Sequence, residues 1–126
     1  MPDWTAIALG GAAGALGRWL MSSGVHRWLG REFPWGTLAV NVAGSFAMGL
    51  LAVLLIERLA LGPAWRAGLL IGFLGAFTTF STFALETVQL GADGAGARAL
   101  ANVVASVALC VLAVVAGMQL ARHVGS

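Results

Sequence analysis

Six consecutive positions, Thr78 to Phe83, read TTFSTF and place four hydroxyls and two aromatic rings inside an otherwise apolar segment, GFLGAFTTFSTFALE. A hydroxyl donates to an anion or accepts from a cation, so these side chains alone leave the sign of a bound solute open. Phe80 and Phe83 stand three apart and face roughly the same way on a helix. Edge-on, the rings present an electropositive rim to a small anion without a fixed counter-charge. Face-on they favour a cation, and against a neighbouring helix they are simple packing. The glycines and hydroxyls from Gly75 to Thr79 also permit a backbone break, with Gly72 and Gly75 supplying the flexibility. A break at membrane depth exposes carbonyls that can hold a cation and helix N-terminal amides that favour an anion.

Two further polar sets recur every four residues: Thr37, Asn41 and Ser45, and then Asn102, Ser106 and Cys110. Each set forms one face of a helix, and each serves either as glue between helices or as part of a polar track. Arg18 lies near the end of the first apolar stretch, where it either snorkels to the interface or makes an electropositive vestibule. Glu86 is interfacial or bonds to hydroxyls on a neighbouring helix. No acidic residue falls in the middle of an apolar stretch, which weakens a proton- or cation-coupled exchanger. Nor does the sequence hold a metal-spaced His and carboxylate cluster, a phosphate-cradling loop or a nucleophile with its base, so an enzyme is not expected.

The elements that must position these groups follow from composition. The 126 residues are 60% hydrophobic and only 10% charged, against about a quarter charged in soluble domains. The class is an all-α membrane protein. A bilayer core of roughly 30 Å needs about 20 apolar residues per helix, and four stretches supply them at about residues 4–23, 35–56, 65–90 and 97–120. Trp4, Trp28, Trp35 and Trp65 mark interfaces. The opening MPDWTAIALGG has no basic n-region and reads as a first span, not a removable signal. Small residues at close spacing, Gly10 with Gly14 and Gly68 with Gly72, suit close backbone packing. The lone Cys110 cannot make an intrachain disulfide.

Loop charges nearly cancel. Arg27, Arg31 and Arg98 fall on one side, and Arg58, Arg66 and Arg122 on the other. That gives no preferred orientation and suits insertion both ways, which an antiparallel homodimer would use; the alternative is that so few charges carry no signal. The scattered arginines point to lipid headgroups, and no nucleic-acid partner is expected.

Over its whole length the chain resembles the Fluc or CrcB family of small dual-topology fluoride channels. The resemblance is carried by GGAAGALGRW, GTLAVNVAGSFAMG, GFLGAFTTFSTFALE and NVVASVALCVLAVVAG, of which the third is the most specific. It implies four transmembrane helices, the third broken near mid-membrane, in an antiparallel homodimer of the bacterial inner membrane that passively exports fluoride. It implies a structural Na+, not transported, on backbone carbonyls at positions matching Gly75 and Thr78. The implied fluoride path matches Asn41, Phe80, Phe83, Ser81, Thr82 and Ser106, with Arg18 in the vestibule. Departures fall at Cys110, where a hydroxyl is usual, at Asn102, where some members carry an aromatic, and at Ala76, often glycine. A small multidrug exporter would instead carry an embedded glutamate in its first span, where this chain has Arg18. An assembly subunit, with stripes that only glue helices, is the other alternative.

Overall fold

The computed structural model describes residues 1–58 and 61–124, with Arg58 as backbone only. The expected place of the Arg58 side chain in a loop therefore lies outside what is described. The described residues form helices joined by short turns. Helix α1 is Asp3–Leu29, and α2 is Trp35–Ala52, continuing into wider π-helical turns over Val53–Arg58. Helix α3 runs through Pro63–Arg66, a π-helical Ala67–Leu74 and Gly75–Phe77. After two extended residues α4 takes over as Phe80–Ala92, and α5 is Gly96–Val124.

Three of the four runs are long and apolar enough to cross a bilayer: Trp35–Glu57, Pro63–Ala92 and Gly96–Val124. At 27 residues α1 is also long enough, but its many glycines and Arg18 dilute its apolar character. Local chemistry sets the ends. Gly30 adopts the left-handed φ of 87° and returns its N–H to the His26 carbonyl at 2.8 Å, stopping α1. Pro63 opens α3 at a first-turn position where its missing N–H costs nothing.

The buried apolar core is small, with Leu38, Val40, Val53, Leu55, Leu74 and Ala121 at its centre. In the apolar windows of Pro63–Ala92 and Gly96–Val124 only 11% of residues are buried inside the chain. Most of the apolar surface therefore faces outward, as a lipid solvent allows and water does not.

Close backbone packing holds the helices instead. A Cβ added at Gly14 would fall inside the contact radius of the Phe73 carbonyl, and one at Gly10 would strike the Gly68 carbonyl. This bears out the glycine pairs read from the sequence. A second contact, between α2 and α5, was not singled out there: Gly49 meets the Val114 carbonyl and Gly117 meets that of Phe46. Two exposed ion pairs bracket the bundle. Arg98 reaches Glu32 at 3.9 Å just before α2, and Arg122 reaches Glu57 at 3.7 Å at the far end of that run. They agree with the sides assigned to Arg98 and Arg122 and contribute little energy.

The glycine seams give a direct prediction. Gly117→Val should destabilise the protein by about 1–3 kcal/mol, because the added carbons meet backbone that cannot move aside. Thermal unfolding in detergent should show the loss, whereas the control Gly24→Val, at a position with open space, should not.

Candidate functional site at the helix break

The third apolar run is interrupted near its middle, at Thr78 and Thr79. Thr78 closes the first half: its N–H and its hydroxyl both donate to the Leu74 carbonyl, at 3.1 and 2.9 Å. Thr79 opens the second half as the N-cap of α4, with extended φ −150° and ψ 120°. Its Oγ1 accepts from the Thr82 N–H at 3.2 Å, and the two hydroxyls bond at 3.0 Å. Gly72 lies in the π-helical segment and Gly75 is helical, at φ −61° and ψ −37°. The break therefore falls within the Gly75 to Thr79 stretch read from the sequence, at its threonines and not at its glycine. The interruption sits on threonines, whose hydroxyls end one helix and cap the next, while Gly72 lets α3 approach the α1 backbone near Ile7.

Breaking a helix in hydrocarbon strands peptide groups, and each one left unsatisfied costs several kcal/mol. Two side chains from other helices meet that demand. Asn41 on α2 accepts the Thr79 N–H on Oδ1 at 2.8 Å and donates from Nδ2 to the Thr79 carbonyl at 3.0 Å. Arg18 on α1 donates from Nε to the Ala76 carbonyl at 3.0 Å. It stands against the end of the first half-helix, where a cation complements the helix dipole.

A cleft of about 360 Å³ opens beside the break, and Asn41, Thr78, Thr79, Phe80, Phe83 and Ser106 are among its lining residues. Ser45 and Cys110 line it too, so each sequence stripe brings two of its three residues to the cleft, whereas Thr37 and Asn102 bond elsewhere. The Phe80 and Phe83 rings lie 5.4 Å apart at 51°, and Phe80 is 79% exposed. Thr82 is half-buried and engaged with Thr79, whereas Ser81 is exposed and outside the cleft lining. Gly75 is exposed beside the break. Arg18 is not among the cleft-lining residues.

The cleft is buttressed by bonds toward one end of the bundle. The Thr37 hydroxyl, one turn from Asn41, donates to the Glu86 carboxylate at 2.5 Å, as one of the two readings of Glu86 anticipated. Asn102 is 1% exposed and donates to the Thr87 hydroxyl at 2.9 Å, while Ser106 donates to its Oδ1 at 3.3 Å. Thr87 donates in turn to the Phe83 carbonyl at 2.7 Å. Beyond the first span, His26 accepts from Arg31 on Nδ1 at 3.3 Å, which puts the ring proton on Nε2. That atom is buried and has no partner among the described residues. Burial, and then the Arg31 charge, lower the His26 pKa from 6.5, with Glu86 acting in the opposite sense. Among the described residues there is no cluster of three or more His, Cys, Asp or Glu side chains that could hold a metal.

Long apolar helices, one of them broken at mid-length beside a largely apolar cleft that a few polar side chains reach, define a helical membrane protein. Residues 5–118 match the family model described as CrcB-like protein, Camphor Resistance (CrcB). A protein of Methylococcus capsulatus named fluoride-specific ion channel FluC is 58% identical over 94% of this chain and 52% of its own length. This chain thus spans about half of that relative. Proteins of the same name from Magnetococcus marinus and Geobacter sulfurreducens are 53% and 50% identical, covering 92% and 94% of this chain and 94% and 95% of their own. The chain belongs to the CrcB family. It is a non-catalytic, multi-pass protein of the inner membrane.

The buried polar chain behind the cleft can be tested. Asn102→Ala should cost about 1–3 kcal/mol, since it strands the partners of a fully buried amide. Chemical or thermal unfolding of the variant in detergent checks this, and Asn102→Gln should not restore the loss, because its longer side chain does not fit the same bonds.

Proposed function

We propose that this chain is the subunit of a fluoride-selective channel that lets fluoride leave the cytoplasm passively and so lowers its toxicity. The subunits pair as an antiparallel homodimer, which gives the balanced loop arginines a purpose. Asn41, Phe80, Phe83, Ser81, Thr82 and Ser106 belong to the fluoride path, with Arg18 at its vestibule side. The observation that carries the reading is the break itself, where the amide end of α4 opens onto the cleft beside Phe80 and Phe83. A helix N-terminus favours an anion.

Fluoride is small and strongly hydrated, so entry needs several aligned donors in place of water, and exit needs the absence of any single tight site. Hydroxyls, one amide and ring edges meet that demand without a fixed counter-charge. A larger halide fits close donors less well and is excluded by width. With no energy-coupling group in the proposal, flow follows the gradient.

A Na+ at the dimer centre, held by the carbonyls of Gly75 and Thr78, completes the proposal. The residues fit such an ion. In a continuous helix the Thr79 N–H would go to the Gly75 carbonyl and the Thr82 N–H to that of Thr78. Here the first goes to Asn41 and the second to the Thr79 hydroxyl. Both carbonyls have lost their helix donors. When bound, the ion would supply positive charge to these oxygens and no redox or acid chemistry.

Reconstituted into liposomes, the protein should pass fluoride far faster than chloride; comparable chloride flux would sink the proposal. Phe80→Ile and Phe83→Ile should each cut fluoride passage while assembly survives. Unchanged flux would make the rings packing only.

A further inference from the structure

We infer that Asn41 and Arg18 are positioning residues that decide which carbonyls at the helix break stay open to a cation. The inference rests on the cation proposed above and assigns its control to two side chains that touch neither Gly75 nor Thr78 in the bonds described.

The geometry of Asn41 is the first support. Its carboxamide bonds the N–H and the C=O of the same residue, Thr79. In an extended residue those two groups point to one side, as in a hydrogen-bonded pair of antiparallel strands. In a helical residue they point in opposite directions along the axis. The amide can therefore hold both ends only while Thr79 is extended, as it is at φ −150° and ψ 120°. Asn41 thus selects the broken form, and by taking the Thr79 N–H it withholds the donor that would close off the Gly75 carbonyl.

Arg18 acts on the next carbonyl. Its Nε–H occupies the Ala76 oxygen, and its charge repels any second cation there. Of the carbonyls at the break, Ala76 is filled by Arg18, whereas Gly75 just before it and Thr78 two residues after it have lost the N–H donors a continuous helix would give them. Those outer oxygens are neutral, and the nearest carboxylate described on α4, Glu86, is engaged by Thr37. Neutral carbonyls alone suit a monovalent ion, whereas a divalent one normally recruits carboxylates.

The test uses the purified full chain, with its thermal unfolding midpoint followed as NaCl replaces N-methylglucamine chloride at constant ionic strength. The wild type should show an upward, saturable shift. Asn41→Leu has similar bulk, offers neither bond, and should lose most of it. Arg18→Gln removes the repelling charge and should move half-saturation to a several-fold lower Na+ concentration, which decides the matter if Asn41→Leu does not fold. A wild-type shift retained in Asn41→Leu, or half-saturation unmoved in Arg18→Gln, overturns the inference. So does a wild type indifferent to Na+ while its fluoride flux is intact. Loss of wild-type fluoride flux with the Na+ pattern preserved removes the channel proposal and leaves the inference standing.

Discussion

A backbone interrupted inside hydrocarbon must be answered group by group, and the pair of bonds between Asn41 and the Thr79 peptide is the answer around which this molecule is arranged. Helix α2 has to come close enough for a short amide to reach another helix's main chain. Glycines make that approach possible. A Cβ at Gly44, three residues after Asn41, would collide with the Thr78 methyl, and Gly49 and Gly117 press α2 against α5 further along. On the other side, Gly10 and Gly14 carry α1 inward, and further along it Arg18 meets Ala76. The glycine seams and the polar bonds are one device, because the first sets the distance over which the second can act.

The break also sorts charge in space. The first half-helix ends in carbonyls, the negative end of its dipole, and Arg18 stands there. The second half begins with amides, the positive end, beside the rings of Phe80 and Phe83 and the cleft. Six residues whose hydroxyls carry no intrinsic preference for either sign thus gain two edges of opposite preference. The ambiguity of TTFSTF as a composition is resolved by backbone direction, since which edge a hydroxyl serves depends on the half-helix to which it belongs.

This explains how much was legible in the sequence. Hydropathy marked three of the four runs strongly, because a lipid-facing helix must be apolar over its length whatever it packs against, and the first more faintly, diluted by glycines and Arg18. The glycine pairs Gly10 with Gly14 and Gly68 with Gly72 were legible for the same kind of reason: close backbone contact demands small residues at helical spacing. The polar stripes were visible as faces, and both reach the cleft. The break was legible within Gly75 to Thr79, but not that its extended residues are the threonines, whose hydroxyls cap it, while Gly72 and Gly75 stay helical. The partners of Asn41 and Arg18 were not legible at all. Each bond joins residues 38 and 58 positions apart respectively, and a side chain that reads a distant main chain leaves no spacing pattern.

Asn102 shows what such hidden bonds accomplish. From the sequence Asn102 first reads as a departure from the family resemblance in the wall of the fourth span. In the fold it is buried between α4 and α5 and joins Ser106 to Thr87, whose hydroxyl returns to the carbonyl of Phe83. Ser106 and Phe83 both face the cleft, one from each helix. The amide therefore ties the two walls together from behind, through groups that a hydrocarbon surrounding gives no alternative partner. An aromatic at 102 could hold the same helices by bulk but would offer the Thr87 hydroxyl no amide donor, so the side-chain bond that joins the two helices behind the cleft is particular to the asparagine.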